Sequence, residues 1–517
     1  MVETEKHKVG SDGILQDGVG SRPAAEQDLA TYDVAGRQLG ELNTPVFRRA
    51  GKSNEMLYVA SFDGTGNDGL QDPWHATNIK LIADQVHRSN KAGVENVRGG
   101  YEQGIGTKGN PIERGYDLAT GHSYESRIEE EYFRFCGDAK KWLATHPGGQ
   151  IRVADIGFSR GAEEAASFAR LVHERGIMDP DSRVVHHNHL GHDTVEYTRN
   201  MVPPGTVAQA VGLFDPVGTG KPRDFDRRLP PSVLSAFQIT SRDEQRGTFK
   251  STDIVDPGMS ADGRMLNVMV AGCHSDLGGG YHHNGLSIRA GNLMVDYLNS
   301  LSDKPFLAKT PEPMDARLNV IHRSEEGLLA YELAPKANRG KAEGHVQLLT
   351  PAPMCGKVPD CRNNEPVDHG MDSKFKRHPV PVTSPAHPSH AAFNAISSGV
   401  DADPRLGALD ATRSSNLKAG LLLQYERERI GLGMTGIDHV VSNRSGDRTF
   451  LIQGDLRDPS HRRMSADNAP LFAMPAGSSL AALDPVVSQR QALAAEQSAS
   501  QQQHPHPVHQ APLLVRA

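Results

Sequence analysis

The sequence predicts an α/β fold with a mainly parallel sheet, and three observations carry that prediction. Short apolar runs ending in polar, Gly- or Asp-bearing loops recur between residues 56 and 271. Amphipathic helical stretches alternate with them. One run passes through Gly157-Phe158-Ser159-Arg160-Gly161 straight into an Ala-rich helix. Strands alternating with helices pack as a parallel sheet covered on both faces. At roughly 100–200 residues per domain, 517 residues suggest two to four structural units.

Residues 1–54 are rich in Gly, Asp, Glu and Arg without sustained periodicity, so they are expected to form a mobile or loosely packed leader. Met56–Phe62 is a short apolar run stopped by a Gly-rich turn, a buried strand by length and flanks. Residues 123–146 follow as an amphipathic helix, with Ile128, Tyr132, Phe135 and Leu143 near one face. Ile151–Ile156 is the strand before the turn, and Gly161–Arg175 is the helix after it. Ala208–Phe214, Ala236–Thr240 and Leu266–Ala271 read as further strands, and 286–301 as a closing helix. Many of the prolines fall in 302–400, read as decoration or a linker. Order is expected to resume near Asn416 with a helix, then two strand-like runs around the turn Ser445-Gly446-Asp447. Residues 401–517 thus form a small α+β module ending in a disordered tail, 488–510 being rich in Gln, Ser and His.

Composition excludes several functions. The net charge is −7 and no stretch approaches 18 apolar residues, so neither nucleic-acid binding nor a membrane span is expected. Met1–Gly10 is charged with no apolar segment behind it, so no secretory signal is expected. Four scattered cysteines do not make a disulfide framework. Arg457, Arg462 and Arg463 read as partner-facing or solvated.

The turn carries the chemistry. In a nucleophile elbow the serine sits on a strained strand-to-helix turn with its hydroxyl exposed, and the flanking glycines are needed because a Cβ would clash. The plain alternative is a tight turn whose serine caps the helix. An acyl-transfer serine also needs a base, an acid to orient it, and donors for the oxyanion. His274 follows the last strand-like run and precedes a Gly-rich turn, where the base of an α/β-hydrolase belongs; a purely structural histidine is the alternative. Asp215, ending VGLFDPV, and Asp243, after AFQITSR, compete as the acid, and the residues alone leave them level. For the oxyanion, the amide of Arg160 is one donor by position, and the loop Asp63-Gly64-Thr65-Gly66-Asn67, whose glycines let amides point inward, is expected to supply the other. His186, His187, His189, His192 and Asp193 form a dense cluster, read mainly as a surface loop with a lid or a metal as alternatives. Asp63, Asp68, Asp72 and Asp276 lack EF-hand spacing.

Seven motifs occur in one order over residues 56–300: FDGTGND, HATNIKLI, YEQGIGT, GFSRGA, GLFDPVG, SRDEQRGTF and HSDLGGGY. Together they resemble the α/β-hydrolase family that includes the antibacterial phospholipase effectors of type VI secretion systems. The resemblance implies Ser159 as nucleophile, His274 as base and Asp215 as acid, with Asp243 the alternative. It implies oxyanion donors among Asp63, Gly64, Thr65 and Arg160. Pro216 departs from the family, where threonine is expected.

NLKAGLLLQYERERIGLGMTGIDHVVSN and RTFLIQGDLRDPSHRRMSADNA, followed by the Gln-rich tail, are similar to something else. They resemble the C-terminal secretion domain of bacteria-killing type IV effectors, which docks on the coupling ATPase of the secretion channel. The two resemblances imply a serine phospholipase needing no cofactor, with calcium dependence left open and no metal among the site residues. They imply a membrane phospholipid substrate, the coupling ATPase and a cognate immunity protein as partners, and no nucleic acid. The protein would be cytoplasmic in its producer and then reach the periplasm or membrane surface of a target bacterium. A soluble carboxylesterase or neutral-lipid lipase, and a non-catalytic effector scaffold, are the alternatives.

Overall fold

The computed structural model describes residues 8–490 apart from 95, 188–192, 327–328, 333, 378–381, 384–386, 484 and 488. The chain divides after residue 378 into two compact units. In the first, seven strands form one sheet: β2 (Glu55–Phe62), β3 (Val97–Glu102), β4 (Gln150–Phe158), β5 (Gln209–Phe214), β6 (Val233–Ser241), β7 (Gly258–Met259) and β8 (Met265–Val270). Their order is β7-β8-β6-β5-β4-β2-β3. All neighbours are parallel except the edge pair β7–β8.

Burial on both faces explains why these strands read as unbroken apolar runs rather than alternating ones. Every residue of β2, β5 and β6 is buried. The period of two still governs which layer each side chain joins. Met56, Tyr58, Ala60 and Phe62 pack in one core cluster with residues of α4 (Tyr124–Thr145) and α5 (Arg160–Arg175). Leu57 and Val59 face the other, with residues of α1 (Glu26–Leu39), α2 (Asn78–Lys91) and α7 (Gly285–Ser300). The result is a three-layer α/β/α unit. Its helices start where capping allows. The Thr77 hydroxyl accepts from the Lys80 amide at the start of α2. Asn110 and Glu113 make a reciprocal capping box, with Pro111 in the first turn, at the start of α3 (Pro111–Thr120).

Two expectations about the flanks need correction. Residues 1–54 are not a loose leader over their described part. β1 (Gly20–Pro23) pairs antiparallel with β9 (Val320–Arg323). Helix α1 buries Tyr32, Ala35 and Leu39 in the core, and the Tyr32 hydroxyl donates to the Ala271 carbonyl. A buried leucine or similar side chain contributes about 1.5–3 kcal/mol, enough to hold this helix in place. Of the two readings of 302–400, decoration rather than a linker fits the described residues up to 377: β9, a pairing of His345–Val346 with Ser251–Thr252, and many side-chain contacts build them into the first unit.

The second unit begins near residue 379, earlier than the expected boundary at 401. It has α8 (His390–Ala402), α9 (Ala411–Glu428), a three-stranded antiparallel sheet of β10 (His439–Ser442), β11 (Arg448–Gln453) and β12 (Arg462–Asp467), and α10 (Asn468–Ala473). The Ser445-Gly446-Asp447 turn joins β10 to β11, with Gly446 in the left-handed region. Ile396, Val400, Leu417, Leu421 and Leu451 make its core. The Gln-rich tail and its histidines 504, 506 and 509 lie outside the described residues. No helix among the described residues is long and apolar enough to cross a membrane.

Candidate active site

The loops at the carboxyl ends of β2, β4, β5 and β6, together with the turn after β8, converge on one cavity of about 1720 Å³. That is roughly twice an ordinary small-ligand pocket. Ser159 follows β4 and begins the turn into α5. Its amide donates to the Phe214 carbonyl at 3.0 Å, and its carbonyl accepts from the Val217 amide. Its φ of 60° is matched only by Asp215, at 42°, among non-glycine residues described. Such conformations cost about 1–3 kcal/mol each and persist where the surroundings enforce them, typically at functional sites. Both glycines of the motif are required by close approach: a Cβ on Gly157 would overlap the Gly161 backbone, and one on Gly161 would strike the carbonyls of Phe62 and Asp63.

His274 opens α6 (His274–Gly278), between the rings of Phe158 and Phe249. Its Nδ1 meets Asp215 Oδ2 at 2.6 Å, so Nδ1 carries the proton and Nε2 keeps its lone pair. Burial holds the imidazole below the ordinary histidine value, against the upward pull of Asp215. The His274 amide donates to Glu244, itself paired with Arg246. Ser159 and His274 both line the cavity, whereas Asp215 lies wholly buried behind the histidine.

The structure sets Asp215, not Asp243, against His274. Asp243 instead accepts from the Gly272 amide at 2.8 Å and pairs with Arg242, bracing the turn before His274. Pro216 leaves Asp215 in place and its carbonyl accepts from the Thr252 amide. Asp215 also accepts from the Ser241 amide and hydroxyl and from both terminal nitrogens of Arg339 at 2.5 and 3.1 Å. Burial pushes its carboxyl up, yet Arg339 and His274 hold it well below the usual carboxylate range.

Arg339 is a residue that sequence reasoning missed. It is fully buried, and it also donates to the Phe249 carbonyl. It lies in the proline-rich stretch with no motif around it; its only signal was a charge in a segment without helical or strand periodicity. Removing it leaves a buried carboxylate without its cation, so Arg339→Met is expected to cost roughly 3–5 kcal/mol, read by denaturant unfolding. Loss of that cation also raises the histidine's affinity for a proton. The acid limb of kcat/KM in the variant is therefore expected to move to higher pH. An unchanged limb with unchanged stability would remove Arg339 from the site.

The oxyanion expectation needs refinement. The Asp63 amide donates to the Glu102 carbonyl, and the Gly64 amide is captured by the carboxylate of Asp63 at 2.7 Å. That carboxylate also accepts from Thr77 and Tyr101, and burial pushes it up to about 6. Asp63 therefore shapes the loop rather than lending an amide. Among the described residues, the amides of Thr65 and Arg160 are left without an acceptor. The Arg160 side chain fixes the loop by donating to the Thr65 hydroxyl and the Leu118 carbonyl.

The described part of the histidine cluster lies outside the lining of this cavity. Arg183–His187 pairs antiparallel with Asp193–Tyr197, and the His186 ring meets Glu196 at the surface. His189 and His192, and the side chains of His187 and Asp193, lie outside the described residues. Asp68 caps its own turn and Asp276 meets His322, and among the described residues Asp63, Asp68, Asp72 and Asp276 are not gathered into one cluster of ligand atoms.

A serine on an elbow, a histidine braced by a buried carboxylate and two free amides can together carry out acyl transfer. Comparison with known proteins bears on this geometry. Residues 57–190 match the family described as the type VI secretion phospholipase effector Tle1-like catalytic domain, and residues 383–485 match the X-Tfes XVIPCD domain. No curated protein matches the chain by sequence. Two solved structures are similar at low identity. One is the Tle1 effector bound to the VgrG spike of the type 6 secretion system, at 20% identity with a TM-score of 0.28, covering 44% of this chain and 51% of that one. The other is an uncharacterized protein from Pseudomonas aeruginosa, at 16% identity with a TM-score of 0.31, covering 82% of this chain and 63% of that one. The chain thus spans about half the length of the Tle1 structure it matches.

Proposed function

We propose that this chain, with a Tle1-like phospholipase effector catalytic region at 57–190 and an XVIPCD region at 383–485, is an α/β-hydrolase serine phospholipase used as an antibacterial effector. Ser159 attacks the ester carbonyl of a phospholipid. His274 Nε2 takes the hydroxyl proton and returns it to the leaving alcohol, while Asp215 keeps the ring oriented and stabilises it when charged. The amides of Thr65 and Arg160 receive the oxyanion. Water then repeats the sequence on the acyl-enzyme. No step calls on a cofactor.

The observation that carries this reading is that an elbow serine and a carboxylate-braced histidine line one large cavity. Its surroundings favour lipid over a small soluble ester. Ile112 and Tyr116 on α3 are exposed at 84% and 59%, and Leu118 of the same helix lines the cavity. Exposed apolar side chains on a helix whose end lines the cavity offer a surface for lipid or partner. The test compares phosphatidylethanolamine and phosphatidylglycerol vesicles with a short-chain soluble ester. Preference for vesicles is expected; preference for the soluble ester would favour the carboxylesterase reading.

The C-terminal unit we read as the delivery module, docking on the coupling ATPase of a type IV secretion channel; a cognate immunity protein guards the producer. Support comes from the XVIPCD match and from the unit having a core of its own. A chain ending at residue 378 is expected to keep vesicle hydrolysis and lose transfer into target cells, measured by lipid release in vitro and by a competition assay. Loss of hydrolysis in the folded truncation would count against a separate module.

A further inference from the structure

We propose that Asp17, His283 and His322 form a structural site for a divalent transition ion, zinc by chemistry, which clamps the loop that carries the base. Asp17 Oδ2 lies 2.5 Å from His283 Nδ1 and 3.0 Å from His322 Nε2, and the three donor atoms all fall within 4.8 Å of one another. The outer nitrogen of each ring is engaged as well. His322 Nδ1 meets Asp276 Oδ1 at 2.5 Å, and His283 Nε2 meets Asp12 Oδ2 at 2.7 Å. A carboxylate holding the far nitrogen of each ligating imidazole is the usual outer layer of a metal site, because it fixes the tautomer and aims the lone pair inward.

Without a metal ion, both rings must take up a second proton and donate from both nitrogens. A neutral imidazole has one donor and one acceptor nitrogen, yet each ring here faces carboxylates at both. An ion lets both rings stay neutral, donate outward and ligate inward. Zinc places its donors about 2.0–2.2 Å away, hence roughly 3.4 Å from one another, so Asp17 and His283, now 2.5 Å apart, must draw apart to admit it. Imidazole ligands favour zinc and its neighbours over calcium, which takes oxygen. The site is sheltered: the side chains of His322 and Asp17 are only 1% and 3% exposed, and Tyr281 stacks on His322. It joins the 12–17 segment, the 281–283 turn and β9. Asp276 also accepts from the Cys273 amide, directly before His274. The ion would therefore hold the base's turn without touching substrate.

The test uses the full chain stripped with a chelator and titrated with zinc alone, following heat and metal content. One equivalent is expected, with a rise in Tm that calcium does not reproduce. His283→Ala and Asp17→Asn are expected to abolish uptake, and Asp12→Asn to weaken it about 10–100-fold; Ser159→Ala keeps it. Cobalt in the wild-type chain supplies a check that needs no variant, since its visible spectrum should show nitrogen and oxygen ligation. The proposal is overturned by absence of stoichiometric uptake in the wild type, or by uptake that survives both ligand variants. A thiolate-to-cobalt band would likewise overturn it, placing the ion on Cys355 and Cys361.

Discussion

Ser159→Ala is expected to lower fatty-acid release from phosphatidylethanolamine or phosphatidylglycerol vesicles by about 10⁵–10⁶-fold while leaving the fold intact. Loss of the nucleophile in a serine hydrolase removes nearly all catalysis, because histidine and aspartate serve only through it. The substitution deletes one hydroxyl at a 5% exposed position, and no structural hydrogen bond depends on that hydroxyl among the described residues. The elbow is held by backbone bonds to the Phe214 carbonyl and from the Val217 amide, and alanine keeps both. Unchanged Tm with collapsed turnover is the expected pair of results. Substantial residual turnover would remove Ser159 from the mechanism.

Asp215→Asn is expected to cost about 10⁴-fold in kcat, since an amide in that place presents the wrong partner to Nδ1 and favours the wrong tautomer. The effect on pH dependence has a definite sign. In the intact protein burial keeps His274 below its ordinary value while Asp215 pulls upward. The neutral ring is the active base, so the acid limb of kcat/KM falls below pH 6.5 and activity is flat above it. Asparagine removes the upward pull, and what activity remains should titrate at still lower pH. Arg339→Met moves the limb the other way. Opposite displacements of one limb by two neighbours of the same carboxylate would be difficult to produce through general loss of structure.

Much of this arrangement was legible in residues 150–175, where a buried strand, a five-residue turn and an Ala-rich helix follow in sequence. Ser159 and His274 announce themselves because each follows a strand with glycine nearby. Asp215 and Asp243 could not be separated by residues alone, since both follow strands; the choice lies in the sheet. Strand β5 adjoins β4, which brings Asp215 beside the elbow, while Asp243 lies past the end of β6 and turns toward Gly272. The glycines at 64 and 66 suggested amides free to point inward. Asp63 uses its own side chain to take the first of them, a local contest between carboxylate and oxyanion that a motif does not reveal.

The flanks were less legible for a different reason. Tyr32, Ala35 and Leu39 recur at helical spacing, but charged neighbours outnumber them, and their burial depends on a sheet formed by residues far along the chain. Arg339 sits 65 positions beyond His274 in a stretch without periodicity, and its value comes from one tertiary contact with Asp215. Asp17 and His322 are separated by 305 residues. No spacing rule joins such pairs; only the closed fold does. The stretch read as decoration or a linker therefore carries both the acid's counter-ion and part of the cavity lining.

The most direct measurement is the intact mass of the full chain after exposure to a fluorophosphonate, followed by peptide mapping and vesicle turnover on the same sample. A single adduct on Ser159, absent from Ser159→Ala, with turnover falling in proportion to labelling, is the expected result. An unlabelled protein that still releases fatty acid, or an adduct on another residue that tracks the loss of turnover, would contradict it.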